Sequence, residues 1–278
     1  MNTLDRMDLR KLGMGKRTLV MGIINITPDS FSDGGRFFAP KDALEHALSL
    51  IESGADILDI GAESTRPGHE PVSLEQEWER LAPVIDLLRQ KVDVPLSIDT
   101  YKAEIARSAI ELGADIINDI WGGLADPMMY DVVAKTRAPY ILMHNSTHQK
   151  PITGDVVGKV KEDLLILVNK AIEAGVKPDQ IILDPGVGFG KTVEQNLQLI
   201  NRVDELGETG YPVLMGTSRK SVIGHVLGLP VEDRVEGTAA TVALSVARGA
   251  DIVRVHDVKE MARVVAMCDA MVRTHVST

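Results

Sequence analysis

GADILDIG (residues 54–61), GADIINDI (113–120) and GADIVRVH (249–256) repeat one local phrase, and reading it sets the fold class. Each copy closes a helical pattern and opens a short apolar run. Upstream of the first, Ala43, Leu44, Ala47, Leu48 and Ile51 recur with a period near 3.6, and Gly54 is the expected helix stop. The ILDI that follows is strand-like, being apolar, short and rich in β-branched residues. The same order of helix, glycine and strand runs along the chain. Strands are predicted at 19–27, 56–61, 95–100, 116–120, 140–144, 181–185, 212–217 and 252–257, with helical stretches between them and a final helix after the last. Eight strands, each followed by a helix, in a chain of 278 residues is the arithmetic of an α/β fold of the (β/α)8 TIM-barrel type. An open doubly wound sheet of this length usually has fewer strands, and no Pro/Ser-rich linker splits the chain. The expectation is one barrel domain over residues 1–278, with 1–17 as an N-terminal extension.

Composition narrows the functional classes. The chain is 44% hydrophobic and 25% charged, as in ordinary globular proteins, and no apolar run approaches the roughly 18 residues that span a bilayer. A formal charge of −10 without a basic block argues against nucleic acid as a partner. The N-terminus lacks the apolar stretch of a secretory signal, and one cysteine, Cys268, cannot form an internal disulfide. These features lead to the expectation of a cytoplasmic protein with no membrane association.

Polar residues finish the apolar strands: Asn25, Asp59, Asp99, Asn118 with Asp119, His144, Asp184, Thr217, and Arg254 with His256. In a barrel the C-terminal strand ends share one face, so these groups are expected to converge on one mouth. Any one alone reads equally well as a turn or helix cap. DPGVGFGKT (184–192) resembles a nucleotide loop at first glance. A Walker A loop needs glycine five residues before its Gly-Lys pair, and Pro185 stands there without an N–H. The stretch is instead a βα loop that offers Asp184 to the mouth, with glycines that let the backbone pass close to a ligand. Two further loops, 27–40 and 62–73, are rich in Gly, Pro, Ser and Asp, and are expected to act as mobile lids.

Taken in order, GIINITPDSFSDGG (22–35), DIGAESTRPG (59–68), SIDTYK (97–102), NDIWGG (118–123), DPGVGFGKT, GTSRKSVIG (216–224) and RVHDV (254–258) resemble the dihydropteroate synthase family, the sulfonamide target among the pterin-binding barrels. The resemblance covers nearly the whole chain. It implies a transferase of folate biosynthesis that condenses 6-hydroxymethyl-7,8-dihydropterin pyrophosphate with p-aminobenzoate, using magnesium and releasing pyrophosphate. It also implies roles for individual residues. Asp99, Asn118, Asp184 and Lys220 would hold the pterin, with Met143 and Phe189 as its apolar walls. Phe31, Thr65, Arg66, Pro67 and Ser221 would hold p-aminobenzoate. Asn25, Thr65, Arg254 and His256 would hold the pyrophosphate, with Asn25 also a magnesium ligand. The catalytic group would be Asp99, Lys220, Arg254 and His256.

The chemistry of these residues agrees with the implied substrates. A pterin edge of donors beside an acceptor needs buried acceptors beside a donor, since unpaired groups are costly. Arg254 and His256 are two apart on a strand and so share a face, where fixed cations can stabilise a leaving diphosphate. An arginine paired with Asp257 and a satisfied core histidine is the plainer reading of the same pair. Core packing is the default for Met143 and Phe189, and surface solvation for Arg219 or Lys220 alone. A glycosidase-like carboxylate pair fits poorly with only 4% aromatic residues. A methyltetrahydrofolate methyltransferase would not need TPDSFSDGG, STRPG or the Ser-Arg-Lys segment, and a silent pterin-binding paralogue would be marked by a lost loop or anion residue. The stripe Met261, Val264, Val265, Cys268, Met271 reads as core or as dimer surface. The family resemblance favours a homodimer.

Overall fold

The computed structural model of the protein describes residues 8–26, 40–63, 72–147 and 152–273. Phe31, Thr65, Arg66 and Pro67, and most of both expected lids, lie outside the described residues. Eight parallel strands alternate with helices: β1 (Leu19–Asn25), β2 (Ile57–Gly61), β3 (Leu96–Asp99), β4 (Ile116–Asp119), β5 (Tyr140–Met143), β6 (Ile181–Asp184), β7 (Leu214–Met215) and β8 (Ile252–Val255). They pair in the order β6-β5-β4-β3-β2-β1-β8-β7. A bridge between Leu183 and Val213 brings β6 against the start of β7, so the ring closes into the expected (β/α)8 barrel.

Around it lie α1 (Pro40–Glu52), α2 (Leu74–Arg89), α3 (Ala103–Leu112), α4 (Met129–Thr136), α5 (Val156–Glu173), α6 (Val193–Asn201), α7 (Val203–Gly207), α8 (Ser221–Leu227), α9 (Val235–Ala247) and α10 (Val258–Val272). Every expected strand is present, and each is a little shorter than its apolar run. The largest difference is β7, expected over 212–217. Pro212 has no amide hydrogen, and the Asp251 carboxylate takes the amide of Val213 at 2.9 Å, so regular pairing begins at Leu214.

The repeated Gly-Ala-Asp phrase has a common structural use. Asp56, Asp115 and Asp251 stand just before β2, β4 and β8, and each accepts a backbone N–H from the neighbouring strand's entrance. The donors are Val20, Leu96 and Val213, each at 2.9 Å. Arg17 and Arg89 brace the first two carboxylates, at 2.7 Å and 2.9 Å. Each phrase therefore ends a helix and then ties two strands together at the N-terminal rim of the barrel.

Period-2 alternation sorts the strand side chains into two cores. Val20, Ile24, Leu58, Ile60, Leu96, Ile98, Ile117, Leu142, Leu183 and Val253 face outward and pack under the helices. Inside the barrel, Leu19, Met21, Ile57, Ile116, Ile141, Ile182, Leu214 and Ile252 form a separate apolar layer. Leu9 joins this layer, and Leu12 and Met14 pack on it. The segment treated as a mere N-terminal extension is thus, from residue 8, a plug for the barrel floor. Apolar side chains seal the bottom, and the next inward positions along the strands are the polar ones.

Candidate active site

One alternation step above the apolar floor stand Asp59 on β2, Ser97 on β3, Asn118 on β4, Asp184 on β6 and Arg254 on β8, with Asp99 a step higher on β3. Asp59 is fully buried and is the hub of this layer. It accepts from Ser97 Oγ at 2.6 Å, from Asn118 Nδ2 at 3.2 Å and from Arg254 Nε at 2.6 Å. Arg254 Nη2 donates in turn to Asp99 Oδ2 at 2.7 Å. The plainer reading of Arg254, a partner in Asp257, does not hold, because Asp257 accepts from Arg219 Nε at 3.0 Å.

These contacts set the donor and acceptor pattern that the mouth presents. With its amide nitrogen committed to Asp59, Asn118 turns its carbonyl oxygen away from that carboxylate. Asp184 accepts the Gly186 N–H at 2.7 Å. Burial raises the pKa of its carboxyl, against that hydrogen bond and the nearby charges of Lys220, Lys191 and Arg254. Burial likewise raises Asp99, opposed first by Arg254. Burial works against the charge on Arg254, but Asp59 and Asp99 outweigh it and hold the guanidinium firmly protonated. Lys220 is half-buried, with its ammonium 4.2 Å from the centre of the Phe189 ring. Burial and Arg254 bring its pKa down to about 8. It is therefore part of this cluster and not a solvated surface lysine.

His256 differs from the expectation of a cationic grip. Burial, Arg254 and Arg219 push its pKa down to about 3, so the imidazole is neutral. Ser218 Oγ accepts the His256 backbone N–H at 3.1 Å and lies 3.0 Å from Nδ1. His256 is thus a neutral ring held against Ser218.

Three strand-end residues do not join the mouth. Asp119 follows inward-facing Asn118 and so points outward, accepting from Tyr140 Oη at 2.8 Å and from the Trp121 and Gly123 amides. His144 follows Met143 and lies 3.4 Å from Asp163 on α5. Thr217 accepts from Thr241 on α9 at 2.9 Å. Met143 is buried at the end of β5, Phe189 sits in the β6–α6 turn, and Ser221 is exposed at the start of α8. Alternation alone singles out Asp59, which strand-end reasoning noticed without giving it a role. Ser218 carries no comparable signal.

Asn25 is exposed at the end of β1, on the inward face and beside Gly61 of β2. Among the described residues no group of three His, Cys, Asp or Glu side chains could hold a metal. One amide oxygen at the rim, with Asp59 and Asp99 engaged by Arg254, fits an ion that draws most of its ligands from a diphosphate and water.

A sealed floor, paired acceptors and fixed cations at the C-terminal mouth define a barrel enzyme built to hold a flat polar heterocycle beside an anion. A family model described as "Pterin binding enzyme" matches residues 21–256. A dihydropteroate synthase of Clostridium beijerinckii is 51% identical over 267 residues, covering 95% of this chain and 98% of its own. A structure of the Clostridium difficile dihydropteroate synthase in the presence of pteroic acid superposes with a TM-score of 0.91 at 48% identity, covering 94% of this chain and 99% of the other. The Xanthomonas albilineans dihydropteroate synthase with 4-aminobenzoic acid gives 0.87 at 43%, with coverages of 92% and 93%. The chain belongs to the dihydropteroate synthase family of transferases. No helix among the described residues is long and apolar enough to cross a membrane.

Proposed function

We propose that the protein joins 6-hydroxymethyl-7,8-dihydropterin pyrophosphate to p-aminobenzoate, giving 7,8-dihydropteroate and pyrophosphate. The observation that carries this reading is the layer of Asp99, Asn118, Asp184, Lys220 and Arg254, acceptors and cations facing one mouth above a dry floor. Asp184 accepts from the 2-amino group and ring N–H of the pterin, Asn118 supplies the complementary amide, and Asp99 faces the dihydropyrazine side. Met143 and Phe189 flank the ring, and Lys220 reaches back over it from beside Phe189.

The C–O bond to the diphosphate breaks first. Its electron pair leaves with the pyrophosphate, and the ring system delocalises the positive charge that develops on the pterinyl methylene. No enzymic nucleophile is needed. Arg254 keeps a guanidinium nitrogen beyond those donated to Asp59 and Asp99, and the neutral imidazole of His256, with its proton on Nε2, would donate to the same oxygens. Asn25 would hold a magnesium ion, which when bound supplies further positive charge to the diphosphate. The aniline nitrogen of p-aminobenzoate then forms the C–N bond and sheds its proton. Ser221, with the backbone at the start of α8, takes the carboxylate of this second substrate, and the family resemblance assigns Phe31, Thr65, Arg66 and Pro67 to the same substrate.

The homodimer belongs to the same proposal. Leu244 on α9 and Met267, Met271 and Val272 on α10 are exposed apolar side chains on two helices packed together, and their burial against a second copy accounts for them. A cytoplasmic location belongs to the same proposal. The test is pyrophosphate release from purified protein with each component omitted in turn. Release should require both substrates and magnesium. Release without p-aminobenzoate at the full rate would show a hydrolase, and binding of pterin without release would show a silent relative.

A further inference from the structure

The lysine that gives DPGVGFGKT its likeness to a phosphate loop is turned onto protein. Lys191 Nζ donates to the carbonyls of Gly186 at 2.9 Å, Phe189 at 3.1 Å and His144 at 3.3 Å, acceptors for all three hydrogens of an ammonium that burial otherwise disfavours. Two of those carbonyls belong to the β6–α6 turn, and the third is at the exit of β5. The ammonium therefore pulls the turn closed on itself and onto the neighbouring strand. Ser146 adds a hydroxyl 3.0 Å from the Phe189 carbonyl and 3.1 Å from that of Gly190. Asn196 on α6 accepts the Gly188 N–H at 2.7 Å.

The turn fits against β5 so closely that side chains are excluded. A Cβ on Gly186 would sit 1.9 Å from the His144 carbonyl oxygen, and one on Gly190 would meet the Ser146–Thr147 backbone at 2.3 Å. Both glycines also have positive φ, at 67° and 68°. What this turn carries is the pterin half of the site. Gly186 donates to Asp184, and the ring of Phe189 lies under the Lys220 ammonium.

We propose that Lys191 is a positioning residue for the pterin-binding half of the mouth: its ammonium holds the turn that orients Asp184 and seats Phe189 beneath Lys220. This inference rests on the function proposed above. It separates the two substrates, because Ser221, proposed above for p-aminobenzoate, stands on another element, at the start of α8. A residue that served stability alone would damage both halves together.

Steady-state kinetics on the full chain, with both substrates varied, test it. Lys191→Met keeps the aliphatic stem and removes the three donors. It should raise KM for the pterin pyrophosphate roughly tenfold while KM for p-aminobenzoate stays within about twofold. Lys191→Arg, which restores charged donors, should recover part of the loss. Ser146→Ala loosens the same turn by a different bond and should shift the same KM, by a smaller factor, which keeps the test decisive if Lys191→Met does not fold. An unchanged pterin KM in the folded variants, or a parallel rise in both KM values with a fallen Tm, overturns the proposal. A wild-type protein that releases no pyrophosphate removes the functional reading itself, and this inference with it.

Discussion

Arg254 Nε lies 2.6 Å from Asp59 Oδ2, joining residues 195 positions apart across β8, β1 and β2. Asp59 has no solvent exposure, and Ser97 and Asn118 occupy its remaining acceptor sites. The pair keeps the guanidinium in the mouth and turned toward Asp99. A buried charge stripped of its partner is strongly disfavoured, so the role of Asp59 is to make the charge on Arg254 tolerable and aimed.

Asp59→Asn preserves the shape of the hub and removes its charge. We expect kcat/KM for the pterin substrate to fall about a hundredfold, on the order of 3 kcal/mol. Steady-state assays with a circular dichroism check of folding measure this. A folded variant within about threefold of wild type would contradict the role.

The three aspartates of the repeated phrase should behave in the opposite way. Asp115→Asn weakens the bond to the Leu96 amide and the brace to Arg89, both on the barrel floor. Unfolding in urea should show a loss of about 1–2 kcal/mol, with kcat unchanged. A fall in kcat at constant KM would show that the floor reaches the chemistry.

Acid stability follows in part from two histidines shielded from water, His144 and His256. Burial, with Lys191, lowers His144 to about 4, and burial with Arg254 lowers His256 to about 3. Both are neutral when folded near neutral pH, and both take up a proton on unfolding once the pH is below the ordinary histidine value of roughly 6.5. The stability they permit is therefore full above pH ~6.5 and is lost as pH falls toward their folded values, by about 1.4 kcal/mol per histidine per pH unit. Tm measured from pH 8 to pH 5 should drop below pH ~6.5. Replacing His144 with glutamine should flatten that slope, and an unaltered slope would count against the account.

The strands were legible because their apolar runs are short and bounded by glycine, and period-2 alternation is strict enough to separate floor from mouth. It also explains the misplaced residues. Asn118 and Met143 face inward, so Asp119 and His144, one residue later, must face the helices. What pattern could not supply is pairing across the barrel. Nothing local to Asp59 indicates Arg254, and nothing local to His256 indicates Ser218 as its partner. Lys191 shows the same limit, since its neighbours suggest phosphate while its partners are carbonyls contributed partly by β5.

Glu77 on α2, buried at 1% exposure, pairs with Lys102 and accepts from Thr100 Oγ1 at 2.7 Å. Lys102 also donates to the Val72 carbonyl at 2.8 Å and pairs with Glu63 at 2.5 Å, tying the described residues on either side of the β2–α2 connection. Lys102→Met should cost about 3 kcal/mol by stranding Glu77, and adding Glu77→Leu should restore part of it. Chemical denaturation of the four proteins in the cycle measures the coupling, and simple additivity would refute it.

Asp184 and Lys220 are proposed to hold a pterin at the barrel mouth. Calorimetric titration of the protein with the pterin pyrophosphate and magnesium, repeated with Asp184→Ala and with Lys220→Ala, tests it most directly. We expect binding by the wild type and a loss of about a hundredfold or more in Asp184→Ala, since the substrate's buried donors would then go unpaired. Folded variants that bind as tightly as the wild type would contradict it.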